Sequence, residues 1–138
     1  MSEEERTPTL TDYMAGAMLA NGFVWMPRLT LPYFARAGVP APLLADALFL
    51  IYLSVGIVSS YLVCKKATSK HLFVGLKFGA VAWVFSIFFL LSSTFENILG
   101  FAFVLLVIYA AGGVAGAYFA VRTRLRRTRV KPALSEDA

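Results

Sequence analysis

Three long apolar runs dominate the pattern of hydrophobic and polar positions along the chain. They cover residues 43–63, 72–92 and 98–121, and charged residues stop the first at Lys65 and the third at Arg122. About 20 helical residues cross a bilayer, and each run reaches that length. Unpaired backbone groups are too costly in lipid, so each run is predicted to be a transmembrane α-helix.

A fourth, weaker candidate helix precedes these runs. Residues 10–26 are mostly apolar but short, and they include Asp12 and Asn21. Pro27 is expected to end this helix, because proline cannot donate to the helical ladder. The proline-rich residues 27–42 are then predicted to form an irregular or re-entrant connector. The sequence therefore predicts four transmembrane helices, or three plus one interfacial helix lying along the membrane surface.

Composition supports an all-α integral membrane protein of one domain. Hydrophobic residues make up 59% of the 138 residues and charged residues 15%, whereas soluble domains are about half apolar and a quarter charged. This balance excludes a water-soluble enzyme domain, a disordered protein and a disulfide scaffold. We expect a disordered N-terminus over residues 1–9, a single helical bundle over 10–121 and a basic tail over 122–138.

The distribution of positive charge predicts the orientation in the membrane. The chain carries 13 Lys and Arg against 8 Asp and Glu. Ten of the 13 belong to Arg6, to the loop at 65–71 and to the tail at 122–131. Basic residues concentrate in cytoplasmic segments. The count therefore predicts that both termini are cytoplasmic in a multi-pass protein of the cell (plasma) membrane.

The basic tail is predicted to extend the last helix out of the membrane until Pro132. Its bases fall on two helical faces, and each base is worth about 1 kcal/mol beside anionic lipid headgroups. Headgroup binding is the first interpretation, docking on an acidic partner the second. Nucleic acid is not expected, because no aromatic residues are interleaved with the bases. The tail bases are Arg122, Arg124, Arg126, Arg127, Arg129 and Lys131.

Lys77 is the most informative charge, because it interrupts an apolar run. A Lys at mid-membrane costs about 2.5–3.5 kcal/mol on insertion scales, so it needs a compensating contact. Its stem can reach back to the cytoplasmic interface. Alternatively, Lys77 forms an intramembrane pair with Asp12 on the adjacent helix, as a structural bridge, a proton relay or an anion site.

A second set of charges is predicted at the outer end of the bundle. Asp46 and Glu96 each lie near the start of a helix, where the helix dipole stabilises a carboxylate. Together with Arg28 and Arg36 they are also candidates for an outer polar cluster. Such a cluster would bind a cation, a lipid headgroup or an extracellular partner.

Small residues recur four positions apart in every predicted helix. Such pairs let backbones approach closely in lipid. We interpret them as packing contacts inside the bundle or as an interface with another subunit. The pairs are Gly16 and Ala20, Gly56 and Ser60, Gly75 and Gly79, and Gly112 and Gly116.

A weak internal match suggests a tandem hairpin repeat. The second helix contains Tyr52, Gly56 and Tyr61, and the fourth repeats this pattern 57 positions later, starting at Tyr109. Parallel repeats of this kind occur in membrane transporters. By chance alone, however, apolar sequences also match easily.

Candidate chemistry is sparse. Asn21, Tyr52, Trp83 and Tyr109 are predicted near mid-membrane, where they would hydrogen-bond within the bundle or line a pocket for an amphipathic ligand such as a quinone. The lone Cys64 allows no intrachain disulfide and is either inert or acylated. With a single histidine and no catalytic motif, no cofactor and no metal site are expected.

These features favour a small non-catalytic accessory or assembly subunit of a larger membrane complex. The motivation is the lack of catalytic residues, the small-residue faces and the basic tail. Expected partners are the bilayer, its anionic lipids and either other membrane subunits or further copies of the chain. The alternative is a small homo-oligomeric transporter or channel that uses the intramembrane polar residues. A membrane enzyme acting on lipids or quinones is least favoured, because acids, bases and metal ligands are too few.

Overall fold

The computed structural model describes residues 5–92 and 96–136, with side chains as far as Arg129, and over these residues the chain is helical without strands. Three of its helices are long and apolar enough to cross a membrane: the second, the third and the fourth as far as Arg129. The prediction of three such helices is confirmed, and the fold is that of a multi-pass membrane protein. The four helices are α1 (Leu10–Arg36), α2 (Ala41–Cys64), α3 (His71–Leu91) and α4 (Ile98–Glu136).

Helix α1 begins at Leu10, as the sequence predicted, and ends at Arg36, ten residues beyond the predicted end. Its first turn is fixed by Asp12, whose carboxylate accepts hydrogen bonds from the Thr9 backbone N–H at 2.9 Å and the Thr9 hydroxyl at 3.0 Å. The helix then continues through Pro27 and Pro32 to Arg36. The expected irregular connector at 27–42 is therefore wrong, and only residues 37–40 join α1 to α2.

The continuation through two prolines has a physical reason. Each proline removes one helical hydrogen bond, whereas ending the helix would leave four carbonyls without intrahelical partners. Such carbonyls are costly wherever water cannot reach them. The Thr30 hydroxyl also donates to the Pro27 carbonyl at 2.7 Å, which adds a local bond at the disrupted turn.

Helix α4 also continues beyond its expected end. Its backbone stays helical through Pro132 to Glu136, so the prediction that Pro132 stops the basic helix is wrong. At an exposed position the carbonyl that loses its helical partner can bind water instead, which lowers the penalty of the proline. The membrane helix and the basic tail are consequently one element of 39 residues.

Glycines bring the backbones of α4 and its neighbours into contact. Gly75 on α3 faces the Gly113 carbonyl so closely that an added Cβ would overlap it. A Cβ on Gly79 would lie 2.8 Å from the Tyr109 carbonyl, and one on Gly116 would lie 2.5 Å from Ser60. In lipid, where no hydrophobic effect drives helices together, such close packing stabilises their association. Helix α4 thus packs tightly along both α2 and α3.

Helix α1 completes the bundle from the other side. It packs on α2 and α3, and among the described residues it makes no direct backbone packing with α4. A Cβ on Gly16 would meet Val63 of α2 and Phe78 of α3, so the glycine at this position allows α1 to pack between them. At the far end, the Trp25 and Phe89 rings meet edge to face with centroids 5.3 Å apart. Helix α1 therefore runs alongside the full length of α3.

Candidate functional site

A buried polar centre lies in the interior of the bundle. Asn21 of α1, only 4% exposed, donates from its Nδ2 to the Ala17 carbonyl at 2.8 Å and to the Ala82 carbonyl of α3 at 3.3 Å. Its Oδ1 accepts a 3.0 Å hydrogen bond from the Tyr109 hydroxyl of α4. We define the polar centre as Asn21, Ala82 and Tyr109. It joins three helices through one amide.

The residues around the polar centre fill the interior. The Tyr52 ring meets the Tyr109 ring edge to face at 6.3 Å, and the Trp83 Nε1 donates to the Ala102 carbonyl at 2.8 Å. The Ser60 hydroxyl donates to the Gly113 carbonyl at 3.0 Å. These contacts are within the bundle, as the first interpretation of the mid-membrane polar residues expected. Together with the fully buried Phe78 and Tyr109, they leave a packed interior rather than a wide ligand pocket.

Lys77 and Asp12 do not form the predicted pair. Asp12 instead makes an ion pair with Lys66, which directly follows α2. The Lys77 ammonium lies 5.5 Å from the centre of the Tyr13 ring, a cation–π contact. The correction has a geometric reason: Asp12 lies in the first turn of α1, level with the α2–α3 loop, whereas Lys77 lies almost two turns into α3.

The four outer charges do not form a cluster. Arg28 lies 5.8 Å from the centre of the Trp25 ring, and Arg36, Asp46 and Glu96 are exposed. Among the described residues, no ion pair joins Arg36, Asp46 and Glu96 to one another. Asp46 is the sixth residue of α2, beyond its first turn. Asn97, rather than Glu96, caps the start of α4, because its Oδ1 accepts a 3.1 Å hydrogen bond from the Gly100 N–H.

Cys64 is buried at the end of α2. It is 0% exposed, and its Sγ lies 3.7 Å from the His71 carbonyl and 3.8 Å from the Ser60 hydroxyl. An acyl transferase could not reach a thiol in this position without local opening. In the described part of the chain, no cluster of three His, Cys, Asp or Glu side chains is placed to hold a metal ion.

A polar cleft lies at the end of the bundle where α2 joins α3. Its volume is about 790 Å³, a size typical of small-molecule sites. Five bases and two acids line it, and we call it the basic cleft. Its lining consists of Glu5, Arg6, Thr7, Asp12, Tyr61, Lys65, Lys66, Ala67, Thr68, His71, Ala120, Thr123, Arg124 and Arg127.

Backbone and side-chain hydrogen bonds hold the walls of the basic cleft in place. The Arg6 N–H donates to the Thr68 hydroxyl at 3.1 Å, and the Thr68 N–H donates to the Arg6 carbonyl at 3.0 Å. From the other side, the Arg124 guanidinium donates to the Thr68 carbonyl. The residues before α1, the α2–α3 loop and α4 therefore meet at Thr68.

Asp12 is fixed as a carboxylate at the edge of the cleft. Hydrogen bonds from Lys66 and Thr9 favour its charged form and lower its pKa from 3.8 to about 2. At neutral pH it neutralises Lys66 only. The cleft consequently keeps a net positive charge from its remaining bases.

Two of the predicted tail bases belong to this cleft. Arg124 and Arg127 line it, whereas Arg122, Arg126 and Arg129 are exposed outside it. The Lys131 side chain lies outside the described residues. Sequence reasoning placed Arg124 and Arg127 on one helical face, but it did not bring that face together with Arg6 and Lys65. The three basic stretches were visible in the sequence. That they meet in one cleft depends on the path of the α2–α3 loop, which the sequence pattern does not give.

Helix α4 has a second small-residue face that points away from the bundle. Ala110, Ala111 and Ala115 form the floor of a shallow groove of about 850 Å³, bordered by larger apolar residues. This face was not predicted from the sequence. The pairs it singled out, such as Gly112 and Gly116, lie at helix contacts inside the bundle.

Comparison with protein-family models, with curated proteins and with solved structures finds no match to this chain. What the chain can do is therefore inferred from three features of its own geometry: the polar centre, the basic cleft and the outer face of α4.

Proposed function

We propose that this chain is a small non-catalytic accessory or assembly subunit of a larger complex in the cell membrane. The observation that carries the proposal is the outer face of α4. Small residues that allow close helix approach lie there: Ala111 is exposed, and Ala110 and Ala115 are half-buried. In membranes such faces are typical of helix–helix interfaces.

The interior supports a structural rather than a catalytic role. The Asn21 amide and the Tyr109 hydroxyl are used in hydrogen bonds between helices. Backbone contact between Gly75 and Gly113 closes the space between α3 and α4. Within the described residues, the polar groups therefore stabilise the bundle and are not arranged as an acid, a base and a nucleophile around a cavity.

The proposed topology has four membrane helices with both termini in the cytoplasm. Helix α1 runs alongside α3 from Tyr13 to Trp25, which supports a fourth crossing despite its lower hydropathy. Arg6, the α2–α3 loop and the basic part of α4 meet at one end of the bundle. Gathering the bases at one end fits the positive-inside rule, with that end in the cytoplasm.

One observation favours the alternative of a homo-oligomeric transporter or channel. Lys77 is exposed on α3 within a membrane helix, so in a single copy it faces lipid or reaches the interface. In a ring of copies it would instead line a path between them. The composition of the native complex distinguishes the two functions.

The test is extraction of the tagged chain from native membranes in mild detergent, followed by mass determination of the intact complex. The accessory role predicts that the 15.1 kDa chain is recovered with unlike subunits. A defined homo-oligomer without other proteins would contradict it and would direct the work to flux measurements in liposomes.

A pair of matched variants tests the role of α4. Ala111→Phe places a large side chain on its outer face, and we expect loss of the associated subunits with unchanged folding. Ala80→Phe is the control, since Ala80 is also exposed on a membrane helix but lies outside the groove. Retention of the subunits by both variants, or loss by both, would contradict docking on this face.

A further inference from the structure

We propose that the basic cleft binds the headgroup of one anionic phospholipid. This inference goes beyond the accessory role and does not depend on it. Its first basis is charge: Arg6, Lys65, Lys66, Arg124 and Arg127 line the cleft against the acids Glu5 and Asp12. Within a cavity of about 790 Å³, that excess matches the phosphate of a headgroup rather than a neutral ligand.

The depth of the cleft places it at the level of the headgroups. Its floor includes Tyr61, three residues before the end of α2, and Ala120, near the end of the apolar part of α4. His71, the first residue of α3, also lines it. Three membrane helices thus leave the apolar region at this cleft, where lipid phosphates lie. A soluble anion would have no comparable reason to bind at the membrane boundary.

An apolar path leads from the cleft along α2. Lys65 and Tyr61 line the cleft, and Val58 and Leu62 lie on the same helical face one to two turns deeper. Val58 is 54% exposed and Leu62 is 46% exposed. A lipid whose phosphate contacts Lys65 can therefore lay an acyl chain against exposed α2 side chains. This continuity favours a phospholipid over an acidic peptide, which would need a polar path.

The cleft is also held ready for a ligand. Thr68 is bonded to Arg6 from one side and to Arg124 from the other, so the loop keeps its position without a bound anion. Lys66 is neutralised by Asp12. Lys65 and Arg127, both exposed, are the bases we assign to the phosphate.

The experiment measures lipid binding to the purified full chain by native mass spectrometry. The probes are phosphatidylglycerol and phosphatidylcholine with the same acyl chains. We expect one phosphatidylglycerol per chain, bound at least about tenfold more tightly than phosphatidylcholine, because two bases contact the phosphate. Equal binding of the two lipids would overturn the proposal.

Matched double variants separate the cleft from general electrostatic attraction. Lys65→Gln with Arg127→Gln should weaken phosphatidylglycerol binding by about tenfold or more. Arg126→Gln with Arg129→Gln removes the same charge from exposed positions outside the cleft and should change the affinity less than about twofold. Equal losses in both pairs would show diffuse attraction and overturn the site.

Two competitors address other sources of anion. Inorganic phosphate at millimolar concentration should not displace the lipid, and displacement would indicate a site for a soluble anion instead. A poly-glutamate peptide should likewise fail to compete, and preferential binding of the peptide would assign the cleft to a protein partner. Circular dichroism and size-exclusion profiles identical to those of the unmodified chain show that each variant is folded.

Discussion

The hydroxyl of Tyr109 donates a 3.0 Å hydrogen bond to the Oδ1 of Asn21, and this bond links two helices whose described backbones do not pack on one another. Helices α1 and α4 each pack on α2 and α3, and the polar centre joins them through side chains. Asn21 extends the link to α3 through the Ala82 carbonyl. One polar pair therefore fixes the relative depth of three helices, which apolar packing alone specifies weakly.

Removing this hydroxyl should weaken the bundle measurably. Tyr109→Phe leaves the Asn21 Oδ1 without its donor, and interhelical hydrogen bonds in membranes contribute about 0.6 kcal/mol on average and up to about 1.7 kcal/mol. We expect a loss in the upper half of that range, because both groups are buried. The measurement is reversible unfolding in mixed micelles.

Two further variants test the assignment. Tyr118→Phe is the control, since Tyr118 is 61% exposed on the outside of α4, and it should leave stability unchanged. With Asn21→Ala added to Tyr109→Phe, the combined loss should be smaller than the sum of the single losses. Additive losses would mean that the two side chains do not interact.

The backbone contact between α3 and α4 predicts a strong effect at Gly75. Gly75→Ala places a methyl group against the Gly113 carbonyl, and overpacking of this kind costs about 1–3 kcal/mol. Gly22→Ala is the matched control, because nothing lies within 4 Å of its added methyl. Alanine should there stabilise the helix by up to about 1 kcal/mol. Similar effects of both variants on thermal unfolding would contradict the packing described.

The Asp12–Lys66 pair predicts a defined response to acid. Since its pKa is lowered to about 2, the folded Asp12 stays charged well below the 3.8 of an unperturbed carboxyl. Its contribution to stability is present above about pH 4 and is lost as the pH falls towards 2. An NMR titration of the labelled carboxyl in micelles should show this midpoint.

Substitution of each neighbouring lysine provides the comparison. Lys66→Met removes the hydrogen bond that lowers the pKa of Asp12 most and should move the Asp12 midpoint upward towards 3.8. Lys65→Met removes the charge that precedes Lys66 in the sequence, and it should leave the Asp12 midpoint nearly unchanged. An unshifted midpoint in Lys66→Met would mean that the pair is not formed in solution.

Burial of Cys64 predicts resistance to modification. In intact membranes, its thiol should react with a maleimide far more slowly than a cysteine placed at the exposed Lys65. Rapid labelling that matches Lys65→Cys would show that the end of α2 opens readily. In a Cys64→Ala background, the rate at Lys65→Cys from either side of the membrane also reports the proposed orientation.

The sequence predicted where three apolar helices begin to within two residues, because long apolar runs have one stable solution in lipid. It failed at Pro27 and Pro132, because a proline removes only one helical hydrogen bond and does not by itself end a helix. The start of α1 was correct, since it depends on residues that are neighbours in the sequence.

Contacts between helices were harder to predict. The expected pair of Lys77 and Asp12 came from counting residues towards one side of the membrane, and counting does not give the rotation of each helix. Lys66, the actual partner, lies in a loop whose path is set by Thr68. The basic cleft was missed for the same reason, although each of its basic stretches was recognised separately.

Because α4 is one continuous helix, a tilt of its membrane part also moves its C-terminal end. At 1.5 Å per residue, its 39 residues span about 58 Å, nearly twice the thickness of the hydrocarbon core. The part beyond Arg122 continues as helix for about 20 Å. A tilt of about 10° within the membrane would swing its tip by roughly 4 Å. Because Arg124 of α4 contacts Thr68, a displacement of the C-terminal end of α4 would also move the loop between α2 and α3.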